Sequence, residues 1–210
     1  MKKQLPTIIT ALLLTCGCTH HSPLPALHPP LPMSGDLLFY RNTDGSDMGD
    51  AISESTGRYV HVAMVERDST GTLWIIDASP EDGVQRRQME CSDTSCQVDT
   101  YRLNMPFDTA GTLARARGFV GLPYDDAFLP DNGALYCSEL IYESFLDSNG
   151  NHLFEAKPMN WRDGDGRMPE YWERHFGKLR MAVPEGVPGT NPTDLSHSPL
   201  LKQLLQPHNK

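Results

Sequence analysis

Basic residues are scarce in this sequence. Its 18 lysines and arginines stand against 27 acidic residues, a formal net charge of −9, and no Lys/Arg cluster relieves that excess. Such a surface repels a phosphate backbone, which excludes a nucleic-acid partner. Metal-binding spacings are missing as well. The five cysteines fall as Cys16 with Cys18, Cys91 with Cys96, and Cys137 apart. Cys91 and Cys96 have no second Cys or His pair at zinc spacing, so neither a metal nor an organic cofactor is expected. In an oxidising compartment those two can close a small surface loop, and Cys137 is then the unpaired thiol. Long apolar runs are absent too. The stretch from Ile8 to Leu14 is too short to cross a bilayer as a helix. No internal repeat is found. Hydrophobic content is 39%, low for a globular chain, and Pro-rich ends account for much of the deficit. About 150 residues remain between them, enough for one full core.

What is present begins with a leader. Lys2 and Lys3 precede the short apolar run, and cysteines follow at once. The segment resembles a bacterial lipoprotein signal over residues 1–18, with Cys18, after Gly17, as the lipidated residue and Cys16 as the alternative. Thr19 is not the aspartate of an inner-membrane retention signal. The expected location is therefore a periplasm-facing lipoprotein of the outer membrane, held to the membrane by its N-terminal lipid only. Residues 19–33 are Pro-rich and read as an extended tether. A single domain is expected over residues 34–182. From Val183 the chain is rich in Pro and Gly, and residues 183–210 read as a disordered tail, with at most a weak helical turn from Leu200 to Leu205.

Within the domain, apolar residues recur at Leu140, Ile141 and Phe145, which predicts a helix starting at Cys137. A thiol in a helix's first turn lies near the positive end of the macrodipole, which favours thiolate. Upstream, Tyr59 to Val65 and Leu73 to Ala78 read as two strands of an antiparallel hairpin. Pairing Val65 with Leu73 sets His61 opposite Asp77 on one sheet face; a slip of one residue would put them on opposite faces. A short strand is expected after Gly35, a short helix around Met48 to Ser53, another strand at Thr100 to Leu103, and a helix capped by Asp108 or Thr109. Pro169 opens a further helix on which Trp172 and Phe176 share a face.

A strand histidine, a facing aspartate and a helix-start cysteine are the parts of a cysteine hydrolase. The imidazole takes the thiol proton or holds the thiolate as an ion pair. The carboxylate fixes the ring's tautomer and orientation, and helix-start N–H groups stabilise an oxyanion. Cys137 is the candidate nucleophile, His61 the base and Asp77 the orienting group.

The order of short motifs then carries a resemblance. Gly35-Asp36-Leu37-Leu38-Phe39, His61-Val62-Ala63-Met64, Ile76-Asp77-Ala78, Gly121-Leu122-Pro123-Tyr124-Asp125 and Tyr136-Cys137-Ser138-Glu139-Leu140 resemble the permuted papain-like amidases of the YiiX/YaeF type, within the NlpC-type cysteine peptidases. In unpermuted relatives the cysteine helix comes first. Here it follows the histidine strand, the order shared with the lecithin:retinol acyltransferase group. The resemblance implies an α+β fold, with a curved antiparallel sheet packed on the nucleophile helix. By position it also implies Cys137 as nucleophile, His61 as base, and Tyr136 and Tyr124 as oxyanion or substrate contacts. The third polar residue of relatives is often Glu or His, where this chain has Asp77. Glu139 is expected to bond backbone groups at the helix start.

These readings converge on a thiol hydrolase that cleaves an amide through a thioester acyl-enzyme. The resemblance implies a cell-wall (peptidoglycan) peptide or a lipid-type acyl compound as substrate. An acyltransferase or lipid esterase using the same site is the alternative, and a non-catalytic envelope binding module is another.

Overall fold

The computed structural model describes residues 31–43, 45–95 and 97–204. The leader with Cys16 and Cys18, the tether as far as residue 30, Cys96 and residues 205–210 lie outside the described residues. The lipidation and Cys91–Cys96 expectations fall there; Cys91 itself is exposed and has a free thiol.

The centre of the fold is a six-stranded antiparallel sheet built from β1 (Leu37–Arg41), β2 (Tyr59–Arg67), β3 (Leu73–Ser79), β4 (Gly83–Gln88), β5 (Val98–Leu103) and β8 (Leu201–Leu204), in the order β4-β3-β2-β1-β5-β8. Two very short strands, β6 (Lys157–Pro158) and β7 (Pro188–Gly189), pair separately. Side chains alternate across the central strands. Leu37, Phe39, Val62, Met64 and Ile76 point to one face and are buried there with Leu140, Ile141 and Phe145. Leu38, Ala63, Val65 and Ile75 fill a smaller core on the other face, with Val98 and Met89 against them. Burial of each such side chain contributes roughly 1.5–3 kcal/mol, so β1 to β3 are held from both sides.

The helices are α1 (Asp47–Thr56), α2 (Thr109–Gly118), α3 (Cys137–Ser144), α4 (Glu170–Lys178) and α5 (Pro192–Ser196). Ser46 caps α1 by accepting from the Gly49 amide, and Asp108 caps α2 by accepting from Gly111. Gly35 before β1 has φ +86°, and a Cβ there would lie 2.5 Å from the Phe107 ring, so the Gly-Asp-Leu motif needs glycine on both counts. The next residue, Asp36, is buried and takes a two-pronged bond from Arg102 at 2.7 Å on each oxygen.

Two expectations are corrected. The chain does not become a disordered tail at Val183. Residues 183–204 carry β7, α5 and β8, and Thr190, Thr193, Leu195 and Ser196 are buried. Pro and Gly are abundant there because the segment turns often. Asn191 with Pro192 is a helix-start signature, and Asn191 does cap α5 by accepting from Asp194. Leu201–Leu204, read as a helical turn, is a strand that satisfies the open edge of β5. Gly83–Gln88, which carries no strand period in the sequence, is edge strand β4. Its apolar content is low because one side of an edge strand faces solvent, and pairing with β3 overrides local propensity.

Candidate active site

Cys137 is the first residue of α3, and Tyr136 is its N-cap. The approach to this point is fixed by Asp125. Its buried carboxylate accepts from the amides of Ala127 and Leu129 and from the Asn132 side chain, at 2.9, 2.7 and 2.7 Å. Backbone bonds between Leu135 and both Pro123 and Asp125 close the loop. Tyr136 has no side-chain cap to offer. Glu139, third in the helix, reaches back to the Tyr136 amide, which is half of a capping box. Burial, then the charge of Asp125, raises the Glu139 pKa to about 8. At neutral pH it is therefore largely protonated and adds little negative charge beside the thiol.

His61 lies on β2 beside a β-bulge. Tyr40 pairs with His61, but Arg41 pairs with Tyr59, which leaves Val60 as the extra residue. A bulge bends the strand and re-aims the side chains next to it. Here it brings the histidine end of β2 to the start of α3. His61 Nε2 is 3.3 Å from Asp77 Oδ2, which leaves Nδ1 as the ring nitrogen for the sulfur. Burial pushes the imidazole pKa down, but hydrogen bonds to Asp77 and Cys137, with the charges of both, outweigh it and raise it from 6.5 to about 10. The site therefore favours a protonated imidazole beside Asp77 and Cys137.

The expected pairing of Val65 with Leu73 is corrected: Val65 pairs with Ile75 and Arg67 with Leu73. The register is two positions from the expected one, so it preserves the face. His61 and Asp77 meet as diagonal rather than opposed neighbours.

A second set of groups stands behind Asp77 and was invisible in the sequence. Arg87 Nη2 is 3.6 Å from Asp77 Oδ2. The same guanidinium grips Asp93 through two bonds of 2.8 and 2.9 Å. Asp93 also accepts from the Tyr40 hydroxyl at 2.6 Å, and the Tyr40 ring lies 5.2 Å from that of His61. Burial pushes Asp93 up, yet the bonds from Arg87, the Glu90 amide and Tyr40 hold its pKa below the ordinary value. Nothing local signals this set; it needs β1, β2, β3, β4 and the turn at Cys91–Thr94 assembled.

The two tyrosines have different partners. The Tyr136 hydroxyl is buried and accepts from the Thr190 amide at 3.1 Å, which ties it to the C-terminal segment and leaves its own proton to donate; Tyr136 lines the same pocket as Cys137. Gly189 comes so close that an added Cβ would be 2.9 Å from that hydroxyl. Tyr124 is half-buried and lines the pocket that Cys137 also lines. Burial and then the charge at Cys137 raise its pKa well above normal, and burial raises that of Tyr136 too, so both keep their protons and can donate.

The pocket at Cys137 is small, about 30 Å³, with Phe128, Met159, Trp161 and Trp172 among its walls. Phe128, at φ +51°, is held in that rare conformation by contacts with Tyr124, Tyr136, Trp161, Trp172 and Phe176. A larger groove of about 360 Å³ between Leu153 and Leu200 is lined by none of Cys137, His61 or Asp77, so the chemistry does not follow the volume.

A family model described as permuted papain-like amidase enzyme, YaeF/YiiX, C92 family, matches residues 32–205. The chain belongs to this family. The match includes the segment after Val183, in agreement with its ordered fold. The family is one of cysteine amidases, so this chain is a thiol hydrolase by type. Among solved structures it is similar to the crystal structure of metalloprotein YiiX from Escherichia coli O157:H7, with TM-score 0.68 and 18% identity over 83% of this chain and 97% of that one. That likeness shows the shared fold. The metal in that description belongs to that protein: among the described residues here, no group of three or more His, Cys, Asp and Glu side chains is placed to hold an ion. No functionally curated protein matches the chain.

Proposed function

We propose that this chain is a cell-envelope amidase that cleaves an amide of a cell-wall peptide or acyl compound through a thioester on Cys137. The observation that carries the reading is the His61–Asp77 contact of 3.3 Å, with the same imidazole coupled to the cysteine that opens α3. Cys137 sulfur attacks the carbonyl carbon. The oxyanion is met by amide N–H groups at the start of α3, which have no intrahelical partners, and by the Tyr124 hydroxyl. The C–N bond breaks and the His61 imidazolium gives its proton to the departing amine. Water then attacks the thioester, His61 takes a water proton, and the sulfur leaves. The sum is amide plus water to acid plus amine.

The leader supports the envelope location, with Cys18 or Cys16 as the lipid-bearing residue and the outer membrane as the anchor. Recovery of the full chain in the membrane fraction, and its loss to the soluble fraction when both cysteines are replaced by serine, tests that location. For the chemistry, the enzyme is quenched during turnover of activated amides and Cys137 peptides are weighed. A mass gain equal to the acyl group supports the reading; turnover that survives Cys137→Ala contradicts it. Amine or alcohol acceptors offered in competition with water separate a hydrolase from a transferase.

A further inference from the structure

Exposed apolar side chains gather at one end of the sheet. Leu31, Met33 and Met105 are 71%, 54% and 40% exposed. Met33 and Met105 line one groove there, and Leu31, Met33 and Arg67 line the next. The chain that enters the domain is pinned to this end. Arg102 donates to the Leu31 carbonyl at 3.2 Å and grips the Asp36 carboxylate, which accepts from the Met33 amide at 2.8 Å. Cations flank the patch in an otherwise acidic chain. Arg67 and Lys202 are exposed, and Lys202 stands opposite Arg102 in the β5–β8 ladder, on the same sheet face. The carboxylates nearby are engaged. Asp36 is held by Arg102, Asp68 accepts from Thr70, Thr72 and Trp74 in its own turn, and Asp108 caps α2.

The catalytic pair lies at the other end. From His61 to Arg67, β2 spans roughly 20 Å. From Cys137 to its C-cap Phe145, α3 spans roughly 12 Å. The Phe145 ring packs on Phe107, with 5.4 Å between centroids, in the segment that carries Met105. Strand and helix thus both set the site away from the patch.

Resting on the envelope reading, we propose that this end of the domain is a lipid-docking face. Leu31, Met33 and Met105 seat in the surface of the bilayer that holds the N-terminal lipid, Arg67 and Lys202 meet its phosphates, and Cys137 stands on the side away from it. Apolar side chains flanked by cations are the chemistry of an interfacial anchor. Residues 19–30 separate Cys18 from the patch and span at most about 40 Å when extended, so a lipid on Cys18 keeps the patch within reach of that surface. The acyl donor then comes from the wall side. It is a cell-wall peptide and not an acyl compound embedded in the same bilayer.

The test follows methionine oxidation by peroxide in the full lipidated chain, on vesicles of phosphatidylethanolamine and phosphatidylglycerol. Met48 and Met168 are internal standards; both are half-buried, so Met33 and Met105 oxidise faster than they do wherever the patch is open to water. Docking predicts the reverse order, with Met33 and Met105 slower by about threefold or more. Leu31→Asp with Arg67→Glu on the same vesicles restores the faster oxidation of Met33 and Met105. Met33 and Met105 faster than the standards in the wild type, or slow oxidation that survives the double substitution, overturns the docking face. Protection that fades as the chains are diluted over more lipid assigns the face to a second copy and overturns it too. A chain that carries no lipid contradicts the envelope reading and this inference with it. For the orientation of the site, the docked enzyme is offered a soluble cell-wall peptide and an N-acyl amide borne by a phospholipid of its own vesicle. Cleavage of the peptide alone is expected, cleavage of the lipid-borne amide overturns the orientation, and acylation of Cys137 by neither contradicts the amidase reading.

Discussion

His61 Nε2 lies 3.3 Å from Asp77 Oδ2, although the two residues are diagonal and not opposed in the β2–β3 ladder. Asp77 Oδ1 is buried without a partner, so this contact and the longer one to Arg87 are the bonds that orient the carboxylate. Asp77→Asn keeps the shape and removes the charge that favours imidazolium. The expected outcome is a fall in kcat of roughly tenfold or more with a lowered thermal midpoint at neutral pH, because the imidazolium loses the carboxylate that stabilises it. Steady-state kinetics beside a melting curve checks both.

Arg87 is the next link. Replacing it with Met leaves Asp93 buried with one strong partner fewer and Asp77 without its second cation. Removing one partner of a buried pair destabilises by about 3–5 kcal/mol; with Arg87 about one-third exposed, solvent screening brings the expected loss to about 1–3 kcal/mol. A role in orienting Asp77 predicts that kcat falls more than KM rises and that the pH profile shifts. Arg87→Lys keeps the charge without the fork and should restore only part of the rate. Urea unfolding and a pH–rate profile separate the two effects.

The raised pKa of His61 has a signed consequence for stability. A group whose folded pKa lies at about 10, against 6.5 unfolded, contributes stability that is complete below about pH 6.5 and is lost as pH rises through about 10. Wild type should therefore lose more stability than His61→Gln between pH 6 and 10. Urea midpoints at the two ends measure the difference. Equal losses would show that the imidazole gains nothing from Asp77 and Cys137 in the fold.

The C-terminal segment gives a test of a different kind. Leu195 is buried in the same core as Cys137, and Leu195→Ala should cost about 2–4 kcal/mol. A disordered tail would show no change at all. Truncation before Pro188 removes Thr190 along with α5 and β8, and should abolish activity together with cooperative unfolding.

Much of the chemistry was legible in the sequence because each part carries a local signal. Cys137 opens an apolar helical period, and His61 and Asp77 sit at matching parity in two β-branched runs. Parity survives a two-residue error in register, so the contact was foreseen while the exact pairing was not. What was missed depends on distant chain segments. Gly83–Gln88 is a strand only because β3 offers it a partner, and Arg87 and Asp93 become part of the site only once that strand is paired. The bond from the Thr190 amide to the Tyr136 hydroxyl was likewise out of reach. Thr190 lay in a segment whose Pro and Gly content suggested disorder, although the Asn191-Pro192 pair was a usable sign of order.

The central claim, that His61 holds Cys137 as an activated thiolate, is tested most directly by the rate of Cys137 alkylation with iodoacetamide across pH. The measurement is made in a Cys91→Ser background, with peptide mapping to isolate the site. The account predicts rapid alkylation of Cys137 already at pH 6, and a His61→Ala variant in which that reaction is lost and returns only above about pH 8, as for an ordinary thiol. If wild-type Cys137 reacts only above about pH 8 and His61→Ala follows the same curve, the account is wrong.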